Sequence, residues 1–433
     1  MLENPTKIKT GDYVILQRQK YTKLQKFGNL DSSAVLGKDH LELRNIDGHP
    51  YYSTFKMIQK EGKGRNRSCT LQVCSETEMR NIFDVLGGSS SGADNRNIID
   101  DGESQNLGPE DISKLREECN DSSKIIEKIV ENSKTFNSKT EYSQEKYLKK
   151  KEKKYFEFVQ IRQPSIRLLT EIFYRQDPDK ILGIRVDTLS QIISYSGVSS
   201  FGNYLLYESG TNGLLPAAFL NSMGANTEAK MVHMHPGNVP QKQAILALNM
   251  PEEQTKRCVS VNIYSVLREF YQGSPEEQEA IIEKLEVPTP TDENPSKKPR
   301  LEESESSNTQ PQSSSSASAI EKQSQKWQLE NKRACELLKE KFDSLVIAAK
   351  EHPVNITKTL LTFVKPSRPV VIFSQCKEVL MELYVELKST TEVTNLHLTS
   401  NWLRMYQILP NRTHPEVNMN GNSGYLLCGY TIR

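Results

Sequence analysis

The sequence YLLYESGTNGLLPAAFLNSMGANTEAKMVHMHP, residues 204–236, decides the fold. It opens with a short apolar run typical of a buried strand, followed by a turn-rich loop at 208–213. Residues 214–223 predict a helix in which Pro216 lies in the first turn, where its missing N–H is tolerated. Residues 230–235 predict a second strand. This βαβ unit, with a glycine loop after its first strand, indicates a nucleotide-binding layout.

The loop after the first strand resembles the first S-adenosylmethionine motif of class I methyltransferases, an acidic residue followed by glycines at every second position. Glu208 and Gly210 fit this motif, but Asn212 and Leu214 occupy the next two glycine positions. The second strand ends in His235, where the motif requires an Asp or Glu that binds the ribose hydroxyls. The resemblance therefore implies a methyltransferase scaffold with a degenerate cofactor pocket.

Composition excludes several classes of protein. The chain has 433 residues, enough for two or three domains, and its net charge is only +1, so any nucleic-acid surface must come from local patches. No apolar run is long enough to cross a membrane. Seven scattered cysteines without a CxxC pair indicate reduced intracellular thiols. His233 and His235 lack a visible third ligand, so no metal site is predicted.

The N-terminal residues, 1–86, alternate short β-like runs with turns, which predicts a small β-barrel domain. The turn at 60–67 is basic, and it is either a hairpin that contacts phosphates or a solvated loop. Residues 87–160 predict a loop rich in Gly, Ser, Asn and Asp, followed by a helical, basic connector.

The connector contains FNSKTEYSQEKYLKKKEKKY, residues 136–155, in which lysines and tyrosines are interleaved. Such lysines suit an RNA backbone, and aromatic rings can stack on exposed bases. The same pattern also fits a solvated helix face. The lysines concerned are Lys146, Lys149, Lys150, Lys151, Lys153 and Lys154.

The remaining residues, 161–433, alternate strands and helices, which predicts a mostly parallel sheet with an antiparallel end, the class I methyltransferase plan. Residues 287–325 interrupt this domain with a polar segment that we expect to be disordered, and a charged helix is predicted to follow at 326–342. Within the polar segment, SKKPRL at 296–301 is either a nuclear import signal or a chance match.

Several longer motifs resemble one family, the non-catalytic, RNA-binding subunits of eukaryotic tRNA (adenine-N1)-methyltransferases, which modify an adenosine in the T-loop. The resemblance covers nearly the whole chain outside the loop at 87 and the linker after 287. Its motifs are KTEYSQEKYLKKKEKKY at 139–155, PSIR at 164–167, RVDTL at 185–189, ESGT at 208–211, KPSRPVV at 365–371, and WLRMYQ with LPNRTHP within 402–415.

The resemblance implies an α/β chain, with an N-terminal β-barrel domain and a degenerate Rossmann-like class I methyltransferase domain. It also implies a nuclear heterotetramer of two plus two, in which a catalytic partner binds S-adenosylmethionine. Ala348 stands where the catalytic subunit has an Asp that acts on the base, and a methyl group cannot accept a proton. The chain is therefore expected to be a pseudo-enzyme that binds tRNA but no cofactor. The alternative is an active S-adenosylmethionine-dependent RNA methyltransferase with an unusual loop.

The candidate RNA-binding residues extend beyond the lysine–tyrosine stretch. Besides its six lysines they are Asn95, Arg96, Lys180, Arg368, Lys377, Arg404, Arg412 and His414.

Overall fold

The computed structural model describes residues 6–37, 39–60, 67–74, 105–108, 110–112, 115, 122–140, 143–144, 146–148, 150–151, 158–273, 314–408 and 413–432. The chain divides into two compact units, Met1–Ser165 and Ile166–Arg433. Among the described residues, no helix combines the length and apolar character needed to cross a bilayer.

A seven-stranded sheet forms the first unit, with the spatial order β2-β1-β7-β5-β6-β4-β3. Its two edge strands approach each other, because Lys23 Nζ on β2 donates a 2.8 Å hydrogen bond to the Val35 carbonyl on β3. The sheet is therefore a nearly closed barrel around an apolar core, in agreement with the predicted small barrel. The strands are β1 (Tyr13–Arg18), β2 (Tyr21–Lys26), β3 (Ser33–Leu36), β4 (Asp39–Glu42), β5 (Thr54–Gln59), β6 (Arg67–Val73) and β7 (Phe158–Arg162).

The expected connector at 87–160 extends too far, because strand β7 begins at Phe158. This strand lies in the middle of the barrel sheet, where it pairs with β1 and with β5. The connector therefore ends inside a strand, and the first unit extends to Ser165. Local alternation could not assign this strand to the barrel, because its pairing partners precede it by most of the length of the unit.

A small helical cluster belongs to the same unit. Helix α1 (Ser122–Glu131) buries Ile125, Ile126 and Ile129 against Phe136 and Leu148. The apolar spacing of these isoleucines places them on one helix face, which explains why this short helix has a core.

The second unit is built on a seven-stranded sheet in the order β10-β9-β8-β11-β12-β16-β13. The first five of these strands run parallel to one another, and β16 is antiparallel to both β12 and β13. The predicted mostly parallel sheet with an antiparallel end is confirmed. The strands are β8 (Asn203–Glu208), β9 (Lys230–His235), β10 (Cys258–Asn262), β11 (Ser344–Ala348), β12 (Pro369–Ser374), β13 (Val393–Trp402) and β16 (Asn422–Thr431), with a small hairpin of β14 (Tyr406–Gln407) and β15 (His414–Pro415).

Helices cover the faces of this Rossmann-like sheet, so that β11 is buried along its whole length. From β8 the chain steps to β9 and β10 on one side, and β11 then returns to the other side of β8. Ligands of open α/β sheets bind at such a switch point. The helices are α2 (Ile166–Gln176), α3 (Val186–Ser196), α4 (Leu214–Met223), α5 (Gln243–Ala247), α6 (Glu252–Lys256), α7 (Ile263–Gln272), α8 (Ser314–Glu340), α9 (Pro353–Leu361) and α10 (Lys377–Thr390).

The expected disorder over 287–325 is wrong from Ser314 onwards, because helix α8 begins at that residue. Ala334, Leu337 and Leu338 anchor its C-terminal half in the core. Neither proline nor glycine occurs between Ser314 and Glu340, and a nucleated helix then extends at one hydrogen bond per residue. The remainder of the interruption, 287–313, lies outside the described residues.

Arg185 joins the start of α3 to the turn before β16. Its guanidinium forms two hydrogen bonds with the Asp187 carboxylate, at 2.8 and 2.9 Å. The same group donates to the carbonyls of Asn420 and Gly421, at 2.9 and 3.1 Å. The side chain of Arg185 is only 8% exposed, so these hydrogen bonds satisfy a buried cation.

Arg185→Ala should lower the free energy of unfolding of the second unit by about 3 kcal/mol, because it removes four charge-assisted hydrogen bonds made by a buried guanidinium. Urea unfolding followed by tryptophan fluorescence measures this unit alone, since both tryptophans, Trp327 and Trp402, belong to it. The control is Arg167→Ala, which removes an exposed ion pair with Glu171 and should change stability by less than about 1 kcal/mol. Equal effects of the two substitutions would contradict the anchoring role.

Candidate functional site

The loop after β8 is closed by its own acidic residue. Glu208 is 1% exposed. One of its carboxylate oxygens accepts a hydrogen bond from the Thr211 hydroxyl, and the other accepts the N–H of Gly213 at 3.2 Å. The carboxylate is therefore used to hold the loop.

The left-handed backbone of this loop lets another segment of the same chain approach it closely. Asn212 and Gly213 both have left-handed φ angles, 54° and 73°. A Cβ on Gly213 would lie 2.5 Å from the Gln241 carbonyl oxygen. The Gln241 side-chain oxygen accepts the N–H of Asn212 at 2.9 Å, and Ala244 N–H donates to the Asn212 carbonyl at 3.1 Å. The segment around Gln241 thus packs where a cofactor would have to approach.

Lys350 and Glu351 cover the other side of the loop. A Cβ on Gly210 would lie 2.6 Å from Lys350 Cε. The N–H of Lys350 donates to Ser209 Oγ at 3.0 Å, and Ser209 Oγ in turn donates to the Glu351 carboxylate. Tyr207 OH donates to the same carboxylate at 3.4 Å. The switch-point crevice between β8 and β11 is therefore bridged by side chains of this chain.

Two histidines occupy the carboxyl half of β9. His233 is fully buried, with Nε2 3.7 Å from a Glu208 oxygen and Nδ1 3.3 Å from Ser260 Oγ. Burial lowers the pKa of His233 to about 3, and burial also lowers the pKa of His235. Both rings are therefore neutral near neutral pH, and His235 offers no carboxylate to bind two ribose hydroxyls. Across the described parts of the chain, no three His, Cys, Asp or Glu side chains are grouped to hold a metal ion.

Ala348 ends β11 beside Glu208 in the strand register and is fully buried. Its methyl group can neither position a base amino group nor accept a proton. Together with the bridged crevice and with His235, this means that the residues present do not fit S-adenosylmethionine or a methyl-transfer reaction.

The lysine–tyrosine stretch is partly packed. Lys146 and Lys150 are exposed, as a phosphate-binding surface requires. The Tyr147 ring, however, lies between Lys139 Nζ at 4.8 Å and Lys151 Nζ at 5.0 Å. Its edge packs on the Phe136 ring at 5.7 Å, so we assign Tyr147 to this cluster rather than to base stacking. Lys149, Lys153 and Lys154 lie outside the residues whose side chains are described.

Two of the other candidate RNA-binding residues, Arg368 and Lys377, lie at opposite edges of the second sheet. Arg368 precedes β12 at the amino edge of the sheet, where its Nε lies 3.2 Å from Asp343. Lys377 begins α10 at the opposite, carboxyl edge. Lys180 is exposed with Nζ 3.2 Å from Asp177. Asn95, Arg96 and Arg412 lie outside the described residues.

The last two candidates support the hairpin of β14 and β15. Arg404 donates to the Glu416 carbonyl at 2.9 Å, and its guanidinium lies 6.0 Å from the Trp402 ring centroid. His414 is exposed, with Nδ1 3.0 Å from the Pro415 carbonyl.

Sequence reasoning missed Lys350, Glu351 and Gln241, the residues that fill the crevice. No motif marks them. The available signal was their position directly after β11 or in the loop after β9, because loops that follow parallel strands meet at one edge of a sheet.

The chain has relatives of known family. A model of the Gcd10p family matches residues 7–327. A Mus musculus protein named tRNA (adenine(58)-N(1))-methyltransferase non-catalytic subunit TRM6 is 32% identical, over 98% of this chain and 88% of its own length. A Dictyostelium discoideum protein of the same name is 31% identical, over 98% of this chain and 79% of its own length.

Solved structures give a weaker likeness. The tRNA (m1A58) methyltransferase TrmI from Aquifex aeolicus has a TM-score of 0.45 and 10% identity, covering 99% of this chain and 100% of its own. A SAM-dependent O-methyltransferase from Thermotoga maritima has a TM-score of 0.47 and 10% identity, covering 98% of this chain and 95% of its own. The strand order of the second sheet defines the fold.

Glu208→Gln should remove a loss of stability that accompanies rising pH. Burial raises the pKa of Glu208 from 4.5 to about 7. The free energy of unfolding is then greatest below the ordinary pKa and falls as pH rises through 7, by about 3 kcal/mol in total. Gln cannot ionise, so this loss should disappear from the variant.

Urea unfolding followed by tryptophan fluorescence, at about pH 5 and about pH 8, measures the difference between variant and wild type. The exposed Glu228→Gln serves as the matched control and should keep the wild-type pH dependence. If Glu208→Gln also keeps it, the carboxyl is not held in the neutral form by its burial.

Proposed function

This chain belongs to the Gcd10p family, and from that membership we propose that it is the non-catalytic, tRNA-binding subunit of a tRNA (adenine-N1)-methyltransferase. A catalytic partner subunit carries the activity and binds S-adenosylmethionine. This chain contributes a folded scaffold and an RNA-binding surface.

The observation that carries the proposal is the filled crevice between β8 and β11. Lys350 lies across Gly210, so S-adenosylmethionine and this side chain would compete for the same space. The reaction would also need a polar group at Ala348, which has none. These features argue against the alternative, an enzyme that methylates RNA by itself.

The exposed lysines of the stretch 146–154 support tRNA binding, since phosphate contacts require accessible cations. The near-neutral charge of the whole chain means that such contact has to be local. Phosphate contacts position an RNA without reading its sequence, which suits a subunit that presents tRNA to a partner's site.

Two further parts of the proposal rest on the family resemblance of the sequence. The complex is a heterotetramer of two copies of each subunit, and it acts in the nucleus. The basic run at 296–301 is the candidate import signal.

The isolated chain should not bind S-adenosylmethionine, whereas the assembled complex should bind it through the partner. Isothermal titration calorimetry on both samples measures this. Lys350→Ala clears the space over Gly210 but leaves His235 and Ala348, so this variant should not bind either. Micromolar binding by the isolated wild-type chain would favour the alternative of an enzyme active by itself.

Replacing Lys149, Lys150 and Lys151 with Gln should weaken tRNA binding by the complex and flatten its salt dependence. Each phosphate contact contributes roughly 0.7 to 0.9 to the slope of log affinity against log salt, so three contacts change it by about two to three units. Cofactor binding by the partner should not change.

The matched control replaces three exposed lysines of the neighbouring helical cluster, Lys124, Lys128 and Lys134, with Gln. This control should keep the wild-type slope. If the first triple variant also keeps it, the stretch is a solvated helix face and the RNA-binding surface lies elsewhere.

A further inference from the structure

A cleft of about 410 Å³ opens at the carboxyl ends of β11 and β12. Its apolar lining includes Leu182, Ile347 and Phe373, and the N-terminal ends of α9 and α10 border it. Its polar side chains are Asp179, Lys350, Glu351, His352, Ser374 and Gln375. This volume lies within the usual range for small-molecule sites.

The position of the cleft follows from the closure of the neighbouring crevice. Ligands of open α/β sheets bind outside the carboxyl ends of the strands. In this chain Ser209, Lys350 and Glu351 bridge the space between β8 and β11. The cleft one strand further along, between β11 and β12, stays open at the same edge.

Three polar side chains of the cleft are available for a ligand, whereas Glu351, His352 and Ser374 already have partners. Within the described part of the chain, the side chains of Asp179, Lys350 and Gln375 have no hydrogen-bond or ion-pair partner. They supply an anionic acceptor, a cation, and an amide that both donates and accepts. Gln375 Nε2 would be 3.1 Å from a Cβ on Gly183, the residue that follows Leu182 of the lining.

The chemistry of these groups suits a single nucleotide. A flat base fits between apolar walls, and its edge can donate an exocyclic amine to Asp179 and pair with the amide of Gln375. Lys350 supplies a positive charge for the phosphate. Two exposed lysines extend this charge to the rim, because Lys180 directly follows Asp179 and Lys377 directly follows the lining residue Cys376.

We propose that this cleft binds a single unpaired nucleotide, with the base inside and the phosphate near Lys350. The nucleotide is supplied by bound tRNA or by a free mononucleotide, which share the same chemistry. The supply of this nucleotide by bound tRNA rests on the proposed function.

The test uses the full chain assembled with its catalytic partner. Gln375→Trp places a bulky side chain in the cleft, and Lys388→Trp is the matched control at the far end of α10. A tRNA carrying photoreactive thiouridine at its unpaired positions is crosslinked by light, and mass spectrometry identifies the crosslinked peptides. A second arm titrates each of the four nucleoside monophosphates by calorimetry.

With wild type and with the control, crosslinks should map to residues 347–353 or 373–379. Gln375→Trp should abolish them and weaken tRNA binding about tenfold, the loss expected for one stacked base. Lys350→Gln, compared with Lys388→Gln, repeats the test without added bulk, and circular dichroism checks the folding of each variant. A nucleoside monophosphate that binds wild type but not Gln375→Trp supports the cleft and identifies a free nucleotide as its ligand.

The inference is overturned if tRNA binds the wild-type complex, no crosslink maps to the cleft, and no mononucleotide binds. If the wild-type complex does not bind tRNA at all, the proposed function fails. The titration with nucleoside monophosphates then decides by itself whether the cleft binds a nucleotide.

Discussion

The buried carboxyl group of Glu208 is the constraint on which the candidate site depends. A carboxyl group without water is costly unless hydrogen-bond donors surround it, and Thr211 and Gly213 provide them only when the loop is tightly closed. That closure requires left-handed backbone at Asn212, which asparagine tolerates better than most residues. The same closure brings the Gln241 segment onto the loop, so one buried acid determines the shape of the crevice.

A sheet whose loop residues do not fit a cofactor keeps the other properties of its fold. The parallel strands still end at one edge, and the loops that follow them still meet there. In this chain those loops carry Lys350, Glu351 and Lys377 instead of groups that serve a methyl donor. The scaffold is therefore suited to binding, and its lysines act locally because the chain as a whole is almost neutral.

Much of the second unit could be predicted from sequence, because its signals are local. The apolar run of β8, the proline in the first turn of α4 and the alternation of strands and helices each lie within a few residues. The barrel was predictable as a class, but β7 was not, because a strand's partner depends on the whole topology. Likewise, the start of α8 depends on core contacts made at its other end.

The sequence by itself determined the βαβ unit at 204–236, the mostly parallel character of the second sheet, and the departures from a cofactor motif at Asn212, Leu214 and His235. Only the tertiary structure decided what fills the crevice. Ser209 meets Lys350 across 141 residues of chain, and Arg185 meets Ser423 across 238. Periodicity and turn chemistry act over one or two turns of backbone, whereas such contacts exist only after the sheet has brought distant strand ends to one edge.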